Sequence, residues 1–177
     1  MTSSAYADEL ASALLSLDGV VDGFEPVDEL SHALQCALLA KGAGASRELV
    51  AAALFHDVAR SPMVAQAFPG MAHETAAAMW LEPRLGPVVA WLVGAHVAAK
   101  LYLIEHDPGY VALLSEESRK SALGQVAPEL EELTRDSAWP EALRLRRWDD
   151  AAKRPDVELA DPLELLAFIR PLVLRTS

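Results

Sequence analysis

Leu49-Val-Ala-Ala-Ala-Leu-Phe-His-Asp57 decides how this chain folds. Seven apolar residues run without a break into an imidazole and a carboxylate. A run this apolar belongs in a core, and an ionisable pair at its end is costly to bury unless something binds it. Ser46 is a good N-cap for a helix that ends around His56–Asp57. Outward from the pair lie His32, His73, His96 and Asp149. Imidazole and carboxylate spread over several helices are how a helical bundle builds a metal centre in its core. The expectation is an all-α bundle holding one or two metal ions. His106, in Glu105-His-Asp-Pro108, reads as an ordinary loop histidine.

The composition agrees. The chain has 177 residues, 52% of them hydrophobic and only 6% aromatic, dominated by Ala and Leu. That suits one compact helical domain over 1–177, with a metal-binding core from about 22 to 153, and suits a β-sandwich poorly. A formal charge of −11 repels phosphate backbones, so nucleic acid is not an expected partner. A single cysteine, Cys36, excludes an internal disulfide and fits a reducing cytoplasm. Its neighbours Ala33, Leu34, Ala37 and Leu38 make it a core filler. No apolar run reads as long enough to span a bilayer, and nothing suggests export. Monomer and dimer both stay open.

Helices are expected over Met1–Leu17, from Pro26 to Lys41, and from Ser46 to the His56–Asp57 pair. Ser61 to Gly70 reads as a loop. Further helices follow over His73–Trp80, Leu85–Val93 and Ala95–Leu103, with Gly94 a possible kink. Pro108–Leu114, Glu116–Leu123 capped by Ser115, Pro128–Arg135, Trp139–Lys153 and Pro162–Arg170 complete the set.

The order His32, His56-Asp57, Asp149 resembles the HD-domain superfamily of helical metalloproteins, most of which are phosphohydrolases. The added His73 and His96 resemble its two-metal members. The chain most resembles the mixed-valent di-iron oxygenases that cleave the carbon–phosphorus bond of hydroxyphosphonates, relatives of myo-inositol oxygenase. The segments that carry the likeness are Glu25-Pro-Val27 ahead of Leu30-Ser-His-Ala-Leu-Gln35, His96-Val-Ala-Ala-Lys100, Leu114-Ser-Glu-Glu-Ser118 and Leu145-Arg-Arg-Trp-Asp-Asp-Ala-Ala-Lys153.

What the resemblance implies is specific. His32, His56, Asp57 and Asp149 would hold one iron, and Asp57 would bridge to a second held by His73 and His96. Asp57 and Lys100 take the catalytic roles. Lys100, Arg146, Ser118 and, more weakly, Ser121 would hold the phosphonate, with Lys100 a point charge and Arg146 a fork. The co-substrate is O2, with iron cycling between Fe(II) and Fe(III). The products are phosphate and a carboxylic acid. Asp22 and Glu25, on one loop, suit an amine or quaternary ammonium tail. Three positions depart from the relatives: Asp22 stands where they have a tyrosine, Arg60 where many HD proteins have a second histidine, and Ser31 where a glutamine is common. Alternatives are an HD-type metal-dependent phosphohydrolase, a di-iron oxygenase of a non-phosphonate substrate, and a binding protein with a vestigial site.

Overall fold

The computed structural model describes residues 3–23, 25–122 and 130–173, and every regular element among them is helical. The helices are α1 (Ser3–Leu15), α2 (Glu29–Gly42), α3 (Arg47–Phe55), α4 (Pro62–Ala67), α5 (His73–Leu85), α6 (Pro87–His106), α7 (Glu116–Ala122), α8 (Leu130–Leu133), α9 (Trp139–Ala151) and α10 (Pro162–Ile169).

Helix α3 is the centre, as its composition demands. Every residue from Leu49 to Phe55 is buried, between α2, α6 and α9. Ser46 caps it, its Oγ accepting from the Leu49 N–H at 3.2 Å. Helix α6 is the long partner. It packs on α5 and α9 most extensively, and carries His96 and Lys100 on an otherwise apolar surface. Its 20 residues, with a mean hydropathy of 1.6 over the most apolar 18-residue window, make it long and apolar enough to cross a membrane, contrary to the sequence expectation. In the fold 61% of its most apolar window is buried against protein, so its apolarity serves the core.

Several element boundaries differ from the expectation, each for a local reason. Pro26 does not open α2. The helix starts at Glu29 because the Asp28 carboxylate accepts from the Ser31 N–H at 2.7 Å, a stronger start than a proline's preset φ. The described residues 20–23 and 25–28 lie in a loop instead, closed by the Glu29 N–H donating to the Val20 carbonyl at 2.8 Å and the Gly19 N–H donating to Asp28 at 3.1 Å. Ser61 to Gly70 is not all loop, since Ser61 caps the short α4. Helix α5 runs past Trp80 to Leu85, with Pro83 in its last turn. Gly86, at φ +89°, turns the chain and Pro87 begins α6. Gly94 does not end α6, which is continuous from Pro87 to His106. An added Cβ at Gly94 would meet the Ala78 Cβ of α5 at 3.5 Å, so glycine here lies along a close helix–helix approach. The segment after Asp107 forms only a short 3-10 turn, Val111–Leu113. Of the expected helix over Pro128–Arg135, Leu130–Leu133 is seen, and residues 123–129 lie outside the described residues.

Candidate metal centre

The end of α3 places the His–Asp pair. His56 keeps helical dihedrals, and Asp57 (φ −104°, ψ 17°) tightens the chain into the turn Val58–Arg60. Both side chains then turn toward α2, α5, α6 and α9. His32 comes from α2, His73 from the first position of α5, His96 from the middle of α6, and Asp149 from α9.

Four imidazoles and two carboxylates converge. His32 Nε2 lies 3.1 Å from His56 Nε2, and His73 Nε2 lies 3.2 Å from His96 Nε2. Asp149 sits 3.3 Å from His32 and 3.6 Å from His56. The Asp57 carboxylate faces both pairs. Its Oδ2 is 3.5 Å from His56, and its Oδ1 is 3.3 Å from His73 and 3.7 Å from His96. Two groups of donors with metal-sized spacing result, His32–His56–Asp57 and Asp57–His73–His96, sharing one carboxylate.

The other ring nitrogens explain the orientation. Nδ1 of His32 reaches the Ala152 carbonyl at 3.0 Å, Nδ1 of His56 the Ala53 carbonyl at 3.0 Å, and Nδ1 of His96 the Val93 carbonyl at 2.6 Å. A carbonyl only accepts, so each Nδ1 carries a proton, and in the neutral ring Nε2 presents a lone pair. At His32 and His56, lone pairs so set 3.1 Å apart repel unless positive charge lies between them. Asp57 Oδ1 is buried and has no hydrogen-bond partner. A donor set of this kind, with carbonyl-anchored imidazoles, fits a pair of N/O-bound cations such as iron, manganese or zinc.

The protein's own charges make the same demand. Burial alone would raise Asp57 and Asp149. Arg60 and His56 instead hold Asp57 well below the usual carboxylate range, and Arg146 and His56 do so for Asp149. Burial disfavours the His56 imidazolium, but the two aspartates outweigh it and lift its pKa to about 9. Burial and the neighbouring His73 push His96 down to about 3. The first position therefore draws positive charge, which a proton or a metal can supply.

The centre opens into a cavity of about 360 Å³. Its wall includes every residue expected at the site except His56, which is fully buried behind it, and Ser121, whose side chain lies outside the described residues. Lys100 and Arg146 are 4% and 5% exposed. Burial and the Arg146 charge lower Lys100 to about 8. Arg146 is not idle: its Nη1 pairs with Asp149 at 2.6 Å and its Nε donates to Asp150 at 2.9 Å. Asp22 pairs with Arg60 at 2.8 Å, and Arg60 also lies 3.3 Å from Asp57. Glu25 accepts from Lys153 and from Ser115, while Lys153 also donates to Ser118 at 3.0 Å. His106 is exposed and stacked on Tyr102, away from the centre.

The sequence reading assigned no role to Glu29, Lys153, Tyr110 or Asp150. Glu29 is 6% exposed at the cavity wall, and burial and the Asp57 charge raise it to about 8. The Arg146–Asp150 spacing, one helical turn, was the available signal for Asp150. Nothing local marks Tyr110, which meets α9 from 36 residues away.

No protein-family model matches the chain. Curated proteins do. The hydroxymethylphosphonate dioxygenase of Gimesia maris is 35% identical over 150 residues, which cover 77% of this chain and 73% of that protein. The 1-hydroxy-2-(trimethylamino)ethylphosphonate dioxygenase (glycine-betaine-forming) of Leisingera caerulea is 32% identical over 158 residues, 84% of this chain and 81% of that protein. An uncharacterized protein of Acanthamoeba polyphaga mimivirus is 31% identical over 140 residues, 73% of this chain and 64% of its own. Identity at this level across most of both chains agrees with the His and Asp arrangement, and the chain belongs to the HD-domain family of phosphonate dioxygenases.

Proposed function

We propose that the protein is a di-iron dioxygenase that converts a 1-hydroxyphosphonate and O2 into a carboxylic acid and phosphate. The carbon bearing the hydroxyl gives up four electrons, its bond to phosphorus breaks, and both oxygen atoms end in the products. The observation that carries this reading is Asp57, whose two oxygens face two separate histidine pairs. His32, His56, Asp57 and Asp149 would hold one iron, and Asp57, His73 and His96 the other. A bound, mixed-valent iron pair supplies activation of O2 and the one-electron chemistry.

The chain's own residues bind and orient. A phosphonate dianion entering the cavity meets Lys100 and Arg146, both buried and therefore poorly screened. Ser118, held against the wall by Lys153, adds a hydroxyl. We assign a cationic tail, an amine or a quaternary ammonium, to the rim that carries Asp22 and Glu25. It would exchange with Arg60 and Lys153 for their carboxylates. The wall of the cavity shields the reacting carbon from bulk water.

The test is oxygen uptake and phosphate release by iron-loaded protein given hydroxymethylphosphonate, 2-amino-1-hydroxyethylphosphonate and its trimethylated form. The expected result is one phosphate released per O2 consumed. Phosphate release from a chromogenic ester without O2, and no uptake with any hydroxyphosphonate, would make the protein a phosphohydrolase instead. A preference for the tail-less compound would overturn the cationic tail and leave the oxidation standing. Iron, in two valences, is read by Mössbauer or EPR spectra before and after substrate is added.

A further inference from the structure

Arg146 is almost wholly buried, so its five N–H groups need partners inside the protein. Three find them. The Nε–H donates to Asp150 Oδ2 at 2.9 Å and to the Tyr110 hydroxyl oxygen at 3.1 Å, Nη2 donates to Asp150 Oδ1, and Nη1 reaches Asp149 at 2.6 Å. The Tyr110 hydroxyl in turn donates to Asp150. Burial raises the phenol well above its ordinary range, so it keeps the proton it donates. Tyr110 is itself 1% exposed, packed with Leu103 and Leu114. The three side chains close a ring of hydrogen bonds, with the Nη1 side of Arg146 left facing Asp149.

The ring decides which edge of the guanidinium is available. Asp150 occupies the Nε–Nη2 edge. The second N–H of Nη2 and the N–H groups of Nη1 lie outside these hydrogen bonds, so the fork expected for Arg146 is offered through Nη1 and Nη2. Without Asp150, a mobile guanidinium would turn both nitrogens onto Asp149, which the proposed iron needs. We infer that Tyr110 and Asp150 are positioning residues that fix Arg146 so that its terminal nitrogens grip the phosphonate. This rests on the reading that the cavity binds a hydroxyphosphonate.

The test uses Asp150→Asn and Tyr110→Phe in the full-length, iron-loaded protein, with two readouts. One is KM and kcat on the best hydroxyphosphonate. The other is calorimetric binding of methylphosphonate, which lacks the hydroxyl and is independent of turnover. D150N is expected to raise both KM and the methylphosphonate Kd about tenfold, the size of one charge-assisted hydrogen bond, with kcat changed far less. Y110F is expected to shift both in the same direction by a smaller factor. The double variant should be no worse than D150N, because the two act through one guanidinium. An unchanged methylphosphonate Kd in D150N, or a loss confined to kcat, overturns the inference. If D150N does not fold, Y110F decides alone by the same readouts. Methylphosphonate bound by wild type and lost in D150N, with no turnover in either, upholds the positioning and sinks the oxidation.

Discussion

At the scale of single residues, Asp57 is the shared element. Asp57→Ala is expected to abolish iron binding at both positions, whereas His73→Ala removes one ligand of the second position and leaves the first. Iron quantified per chain after loading checks this. A full equivalent retained by Asp57→Ala would show that the carboxylate is not shared. Lys100 gives a pH prediction. Burial and Arg146 lower it to about 8, partly offset by Asp149, Asp150 and Asp57. The cation is present below that pH and lost above it, so affinity for a dianion weakens as pH passes 8. KM measured from pH 6.5 to 9.5 is expected to climb on the alkaline side. The climb should move to higher pH in Lys100→Arg, whose charge does not titrate there. The convergence of these six imidazole and carboxylate residues was legible because such groups stand out on apolar helices. Their partners were not. Asp22–Arg60 and Glu25–Lys153 bridge residues 38 and 128 apart, and no spacing rule reaches so far.

At the scale of elements, helix starts were readable where a side chain supplies the missing acceptor. Ser46 did so for α3 and Pro162 marked the first turn of α10. Asp28 was overlooked in favour of Pro26, since the choice depends on the closed loop before it. Asp28→Ala is expected to cost about 1 kcal/mol. The loss also frees the loop carrying Asp22 and Glu25, measurable as faster amide exchange from 20 to 28. Gly94 reads as a break between two helices, but packing against α5 keeps α6 continuous through it. With ordinary contact distance to Ala78, Gly94→Ala is expected to stabilise by about 0.5–1 kcal/mol. Thermal melting checks it, with a rise of roughly 2–4 °C for each kcal/mol in a chain this size. A fall in Tm would mean that α5 and α6 approach more closely than described.

At the scale of the whole molecule, the donors come from α2, α5, α6, α9 and the end of α3, so cations bound there would tie together elements spread over most of the chain. Binding energy of this kind is folding energy. Iron at a hundredfold excess over its Kd is expected to add about 2.7 kcal/mol, seen as a higher Tm that a chelator reverses. No change in Tm with metal would argue that the ligands do not converge as described. The bundle class followed from the composition and the apolar runs. The way the helices cross did not, because it depends on which faces meet at a distance in sequence.

The facing ring nitrogens of the two histidine pairs carry one last consequence. Without a cation the polypeptide must take up a proton there, or hold bare donors together at its own expense. Such a chain, made where the mineral is scarce, should breathe more and be cut sooner by cellular proteases. Nutrient supply would then set how many copies persist, and not only how many are active.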